Sequence, residues 1–190
     1  MAKILAFAGS SRNDSLNKKL VRIAATGAER AGADVTVIDL ADYPMPIFDQ
    51  DLENSQGIPP SAIEFKQTLI AHQGFLIASP EYNSAFSPLL KNALDWASRQ
   101  SDQTEPPLIA YRGKIAGIMA TSPGALGGMR GLVFLRMLLS NMGIIVVPEQ
   151  QAIAKGFQAF DENGNLSEEN QQKAVMNIGI KVAEVSAKFV

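Results

Sequence analysis

The chain of 190 residues has the length of one domain with a full core, and its composition, 46% hydrophobic and 19% charged, is globular. A net charge of −2 argues against nucleic acid or an anionic membrane surface as a partner. Because cysteine is absent, disulfides, thiolate nucleophiles and cysteine-ligated metals are excluded. The N-terminal apolar run is too short for a signal peptide and no segment reaches roughly twenty apolar residues, so we expect a cytoplasmic protein.

Predicted strands and helices alternate along the chain. Apolar runs predict buried strands at 3–8, 35–38, 74–78, 115–120 and 144–147. Helical periodicity and end signals predict helices at 15–31, 60–72, 86–98, 132–142 and 167–189, and loops at 41–59, 100–112 and 148–166. This alternation predicts an α/β fold, a flavodoxin-like three-layer sandwich with helices on both faces of a five-stranded parallel sheet of order 2-1-3-4-5. We expect residues 1–190 to form a single domain.

The turn after the first strand concentrates groups that bind anions. It runs from Gly9 to Asn17 and leads from a strand end into a helix N-terminus, where free N–H groups and the helix dipole favour negative charge. Arg12 adds a guanidinium, whose forked donors suit phosphate oxygens. The turn lacks the Walker and GxGxxG patterns, and it predicts a phosphate cradle. The alternative is that Ser15 or Asp14 only caps the helix.

Two further loops should open onto the same crevice, because the carboxyl ends of parallel strands share one edge of the sheet. Residues 79–85 present Tyr82 beside an amide, and the loop 121–128 has three glycines, so its backbone can approach a planar ligand closely. One anionic end and a planar, hydrogen-bonding body describe flavin mononucleotide better than a bare phosphate. The alternative for residues 80–83 is an ordinary turn that caps the next helix.

Titratable residues outside these loops are interpreted as structural. His72, the only histidine, falls at a helix end, where a cation interacts favourably with the dipole, so we do not expect a catalytic triad. The carboxylates scattered over residues 39–53 lack the spacing of metal ligands, so we expect no metal site there.

The order of these motifs resembles the NADPH-dependent FMN reductases of flavodoxin-like fold, a family with quinone-, azo- and chromate-reducing members. Residues 9–17, GSSRNDSLN, are similar to the family pattern G-S-x-R-x-x-S-x-N. Residues 80–83, PEYN, and 90–96, LKNALDW, are similar to its P-E-Y-N and L-K-N-A-[IL]-D-W pair, and residues 122–128 resemble its third loop. The resemblance covers nearly the whole chain in the right order.

The resemblance implies a non-covalent FMN site built from all three loops. Its phosphate end would be held in the first loop by Ser10, Arg12, Ser15, Leu16 and Asn17. Its isoalloxazine ring would be held in the second loop by Pro80, Glu81, Tyr82 and Asn83, and in the third by Ser122 and Gly124. We assign Lys91, Asn92 and Asp95 to helix packing and caps, and Trp96 to the core or a subunit interface.

The implied activity is that of an NAD(P)H-dependent FMN reductase or quinone reductase. A hydride would pass from NADPH or NADH to bound FMN and then, in a ping-pong scheme, to a quinone, flavin or other small acceptor. Because the flavin carries this chemistry, no catalytic side chain is expected. The alternative is a flavodoxin-type electron carrier for a protein partner, although −2 is a weak charge for steering to a basic partner. Apolar residues on two helices, including Trp96, Phe134 and Met137, favour a homodimer or homotetramer.

Overall fold

A computed structural model describes residues 1–189. Its large sheet holds five parallel strands, which are β1 (Lys3–Ala8), β2 (Asp34–Val37), β3 (Gly74–Ala78), β6 (Ile115–Thr121) and β7 (Ile145–Ile153). A small antiparallel hairpin is formed by β4 (Glu81–Tyr82) and β5 (Ala85–Phe86). The large sheet has the order β2-β1-β3-β6-β7, so the predicted order 2-1-3-4-5 is confirmed when its strands are counted alone.

Seven helices occupy the connections within the described residues, which are α1 (Leu16–Arg30), α2 (Gln50–Gln56), α3 (Pro60–Ile70), α4 (Pro88–Ala97), α5 (Met129–Asn141), α6 (Gly156–Ala159) and α7 (Glu169–Ser186). The helices α1 and α7 cover one face of the sheet, and α3, α4 and α5 cover the other. In the part of the chain that the structure describes, no helix has both the length and the apolar character needed to cross a membrane.

Alternate residues of the central strands enter two separate cores. Ile4 and Ala6 of β1 pack in the core under α1 and α7, whereas Leu5 and Phe7 pack in the core under α3, α4 and α5. This double burial is the reason that β1 is apolar at every position after Lys3.

Glycines let α1 and α7 approach closely. A Cβ atom added to Gly179 of α7 would lie 1.8 Å from the carbonyl oxygen of Ala24, and one on Gly27 of α1 would lie 2.0 Å from the carbonyl oxygen of Met176. Since both obstacles are backbone atoms, neither position accommodates a side chain without moving a helix.

The predicted loop 41–59 is wrong in part, because it contains α2 and begins within a 3-10 turn over Leu40–Asp42. The Asp49 carboxylate caps α2 by accepting from the N–H groups of Asp51, at 2.8 Å, and Leu52, at 3.0 Å, and Gly57, with φ of +78°, ends the helix. This helix buries no residue, so it lacks the apolar periodicity on which helix prediction depends.

The last strand continues to Ile153, although residues 148–153 were predicted as loop. Ala116 pairs with Val146 but Ile118 pairs with Gln150, so a bulge in β7 holds extra residues that include Pro148. Proline has no N–H to donate, and β7 tolerates it because β7 is an edge strand with no further strand to accept from that position. The Arg136 guanidinium of α5 donates to the Val147 carbonyl oxygen, at 2.9 Å, and stabilises the bulge. The other predicted bounds agree to within a few residues, while the short β4–β5 hairpin and α6 were not predicted.

Candidate functional site

The first loop presents a row of backbone donors at the carboxyl edge of the sheet. Among residues 1–189, the N–H groups of residues 10–17 meet no acceptor, whereas the next one, Lys18 N–H, donates to the Ser15 hydroxyl at the α1 N-terminus. These amides surround the positive end of a helix of 15 residues. The loop therefore offers free N–H donors at a helix N-terminus, an arrangement that can bind an anion.

Close packing on α4 fixes the start of this loop. A Cβ atom on Gly9 would lie 2.8 Å from the Ser87 Oγ atom and 3.0 Å from the Leu90 Cβ atom, so only glycine fits. Ser87 donates to the Gly9 carbonyl oxygen at 2.6 Å and caps α4 by accepting from the Leu90 N–H at 3.2 Å. The Ser87 hydroxyl thus connects the first loop to α4, the helix that follows the second loop.

The charge around the first loop is positive. The exposed Arg12 guanidinium donates only to the Asp14 carbonyl oxygen, at 3.3 Å, within the described chain. The Asp14 carboxylate pairs instead with Lys19, at 2.8 Å, and Lys19, together with Arg12, lowers the pKa of Asp14 below its ordinary value. Arg12 therefore retains donors for an anion in the cavity, which its side chain helps to line.

The side chain of Asn17 makes a different contact from the one that the sequence suggested. Its Nδ2 atom donates to the Thr121 carbonyl oxygen at 3.1 Å, and its Oδ1 atom accepts from the Thr121 N–H at 3.0 Å. Both groups are buried. The Asn17 amide therefore ties the first loop to the end of β6, which leaves its backbone N–H for a ligand.

The second loop is the β4–β5 hairpin. Its two turn residues, Asn83 and Ser84, have φ of +51° and +71°, as in type I′ turns, and Asn adopts such angles more readily than most residues. Tyr82 is 52% exposed and contributes to the cavity wall. The turn therefore explains why Asn is found at position 83. This agrees in part with the alternative left open by the sequence, that residues 80–83 form an ordinary turn.

The carboxylate of Glu81, which was expected to help hold the ring, is hydrogen-bonded to the start of α5 in this structure. It accepts from the Gly131 N–H at 3.0 Å and from the Arg130 guanidinium at 2.8 Å, both at the start of α5. Burial alone would raise the pKa of Glu81, but the Gly131 and Arg130 hydrogen bonds outweigh it, so the pKa lies below its ordinary value. Glu81 is therefore ionised near neutral pH.

The third loop is held against the end of β7 by backbone hydrogen bonds. Ser122 accepts from the Gly156 N–H at 2.9 Å, and Gly124 accepts from the Lys155 N–H at 3.1 Å. Gly127 has φ of +61°, and a Cβ atom there would lie 2.6 Å from the Ile153 carbonyl carbon. Glycine is required at this turn because the two backbones nearly touch.

All three loops line one cavity of about 120 Å³. Every predicted site residue contributes to it except Asn83 and Gly124, and the lining residues are Ser10, Arg12, Ser15, Leu16, Asn17, Pro80, Glu81, Tyr82, Thr121, Ser122 and Pro123. Thr121 and Pro123 belong to the predicted third loop but were not among the predicted site residues, since the family resemblance pointed only to Ser122 and Gly124 there. The volume is below the roughly 300–1,000 Å³ of cavities that enclose a whole ligand, so this cavity is large enough for only part of a cofactor-sized molecule.

Four other clefts in the described residues lie outside the three loops. A larger one, of about 430 Å³, lies between α1 and residues 162–165 and contains no residue of the three loops. No group of three or more potential metal ligands is clustered anywhere in residues 1–189.

His72 lies far from the cavity along the sheet. It precedes β3, so it is at the amino edge, whereas the three loops follow the carboxyl ends of their strands. Its Nδ1 atom is 2.7 Å from the Thr68 carbonyl oxygen in the last turn of α3. This contact shows that His72 lies at the end of α3, as the sequence predicted.

Comparison with known proteins identifies the class. Residues 2–158 match the family model of the NADPH-dependent FMN reductases, and the chain belongs to that family. It is 32% identical to 2-hydroxy-1,4-benzoquinone reductase of Burkholderia sp, over 95% of this chain and 94% of the relative. It is 34% identical to NADPH:quinone oxidoreductase of Arabidopsis thaliana, over 89% and 84% of the two chains.

A solved structure gives the same result. The flavoenzyme NAD(P)H:(acceptor) oxidoreductase FerB from Paracoccus denitrificans superposes with a TM-score of 0.81 at 25% identity, over 99% of this chain and 98% of that one. The protein is therefore an NAD(P)H-dependent FMN-containing oxidoreductase with a flavodoxin-like fold, and its cofactors are FMN and NAD(P)H. The predicted family, fold and cofactors are confirmed, and the carrier alternative is not favoured.

Proposed function

We propose that FMN binds in the crevice of the three loops with its phosphate in the first, and that the enzyme reduces a quinone, flavin or other small acceptor. One observation carries this proposal. The N–H groups of residues 10–17 have no acceptor among the described residues, and they lie beside the Arg12 guanidinium. The relatives named as quinone reductases support quinones as the acceptor class.

In this proposal the first loop binds the phosphate mainly through its backbone. The Ser10 hydroxyl and the Arg12 guanidinium add side-chain donors, and the N–H groups of Leu16 and Asn17 lie at the positive helix end. Ser15 contributes by capping α1, and the Asn17 side chain by holding Thr121.

The ring end of the flavin would lie between the second and third loops. Pro80, the Glu81 backbone and Tyr82 form one wall, and Ser122 lies on the other. Asn83 and Gly124 set the shape of these walls through the hairpin turn and the Lys155 hydrogen bond. When bound, FMN supplies the hydride and electron chemistry, so the side chains orient the ring and exclude water. No catalytic side chain is proposed, because His72 is at the other edge of the sheet.

We also propose that residues 1–190 act as one domain in a cytoplasmic homodimer or homotetramer, without a nucleic acid or membrane partner. Val133 and Met137 of α5 are 61% and 64% exposed, and Phe134 beside them is 44% exposed, which suits a subunit contact. Trp96 does not support it, because it is buried within the protomer and donates to the Pro46 carbonyl oxygen at 2.7 Å. Light scattering of wild type and Met137→Glu at micromolar concentration tests the assembly, and a monomeric wild type would contradict it.

Comparing FMN with riboflavin tests the phosphate site. Arg12→Ala should weaken FMN binding about ten- to a hundredfold, since a hydrogen bond to a charged group contributes about 1.5–3 kcal/mol. Riboflavin lacks the phosphate, so its affinity should be unchanged. Arg30→Ala is the matched control, because Arg30 is likewise an exposed arginine but lies at the end of α1 and outside this cavity. Equal FMN affinity for Arg12→Ala and wild type, measured by fluorescence titration, would reject the site.

A further inference from the structure

The helix α5 begins without a cap from its own sequence. Its N-cap residue is Gly128, which has no side chain and has φ of +92°, and the first turn contains no acidic residue. The N-terminal N–H groups of a helix need acceptors, and a negative charge there is stabilised by the helix dipole. In α5 both are supplied from outside the helix.

Glu81 of the second loop provides both the acceptor and the negative charge. Its side chain is only 9% exposed, and its two oxygens accept from the Gly131 N–H at 3.0 Å and from the Nε and Nη2 atoms of Arg130 at 3.0 and 2.8 Å. The three donors belong to the first turn of α5. A hydrogen bond to a carboxylate is stronger than one between neutral groups, so this contact fixes the hairpin relative to the helix.

The hairpin lies directly against α5 at Gly131. A Cβ atom there would be 3.4 Å from both the Glu81 Cβ atom and the Ala85 carbonyl oxygen, which is van der Waals distance. The hairpin has only two residues in each strand, so it has little internal stability of its own. Its position therefore depends on what its side chains bind.

We propose that Glu81 is a positioning residue for the flavin ring, because its carboxylate fixes the β4–β5 hairpin to the first turn of α5. This inference rests on the proposed function, in which Pro80 and Tyr82 of the same segment form one wall of the ring site. The carboxylate itself is occupied by the Gly131 N–H and the Arg130 guanidinium. It acts through the hairpin backbone, and α5 in turn transmits any displacement of its first turn to the ring wall.

Riboflavin is the probe that isolates the ring site, since it lacks the phosphate that Arg12 binds. Glu81→Gln keeps the size of the side chain but loses the charge, and we expect riboflavin and FMN affinities to fall by the same factor, about five- to thirtyfold. In an Arg130→Ala background the same substitution should cost less, because the charged partner is already absent. Glu53→Gln is the matched control, since Glu53 is a mostly buried carboxylate that pairs with Arg99 at 2.8 Å, away from the three loops.

Hydrogen exchange of the apo protein provides a readout that does not need the cofactor. In Glu81→Gln the amides of residues 82–86 should exchange faster, while those of β3 stay as in wild type. Unchanged riboflavin affinity and unchanged exchange would overturn the inference, and so would a loss confined to FMN. If Arg12→Ala weakens FMN binding while Glu81→Gln has no effect, the inference alone fails. If Arg12→Ala has no effect on FMN, the proposed function fails.

Discussion

Replacing Asn17 by alanine would break the link between the first and third loops. The substitution removes two hydrogen bonds, of 3.1 and 3.0 Å, and leaves the N–H and carbonyl groups of Thr121 without these partners in a buried position. An unsatisfied buried group costs about 1–3 kcal/mol, so two of them, with partial relaxation, should lower the free energy of unfolding by about 3 kcal/mol. For a chain of this size that corresponds to roughly 6–12 °C in Tm.

Thermal and urea unfolding of the apo protein measure this loss without the cofactor. Asn13→Ala is the matched control, because Asn13 lies in the same loop but is exposed and makes no side-chain hydrogen bond within residues 1–189. FMN affinity should fall in Asn17→Ala as well, because the loops move apart. If the apo protein keeps its stability and only FMN affinity falls, the amide contacts the phosphate instead of Thr121, and the reasoning from the structure is refuted.

Three further predictions concern residues outside the crevice. Gly179→Ala should destabilise the protein by the upper part of the roughly 1–3 kcal/mol that overpacking costs, because its Cβ atom meets the Ala24 carbonyl oxygen, and urea unfolding measures this. His72→Ala should lower stability by about 1 kcal/mol and leave flavin reduction by NADPH in stopped flow nearly unchanged, and a hundredfold slower reduction would contradict the reading of His72 as structural. Burial raises the pKa of Glu105, but the hydrogen bonds from Lys66 and the Ser101 N–H, together with the Lys66 charge, outweigh burial and hold the pKa below its ordinary value. The stabilising effect of Glu105 is therefore present above the ordinary pKa and lost as the pH falls through the lower folded value. Glu105→Gln, which leaves the buried Lys66 without a charged partner, should therefore be less stable at pH 7 but show a flatter loss below about pH 4 in acid titrations of unfolding.

The amino-acid sequence by itself was sufficient for the order of the sheet and the location of the crevice. Continuous apolar strands, such as β1, alternate with helical patterns, and this local periodicity has only a few compatible topologies. The parallel order then brings the loops after β1, β3 and β6 to one edge, whatever their side chains contact. The GSSRNDSLN turn was interpretable for the same reason, because a helix N-terminus binds anions through local backbone geometry.

Only the tertiary structure decided what individual side chains contact. Asn17 binds a backbone 104 residues away, and Glu81 caps a helix that starts 48 positions later in the chain. Trp96 is buried because a segment near Pro46 covers it, and α2 forms without burying any residue. The neighbouring sequence does not reveal any of these contacts, since an Asn or Glu residue looks the same in the sequence whether its side chain binds a ligand or another loop. Their partners are chosen by the packing of distant segments, which the periodicity of a single stretch does not encode.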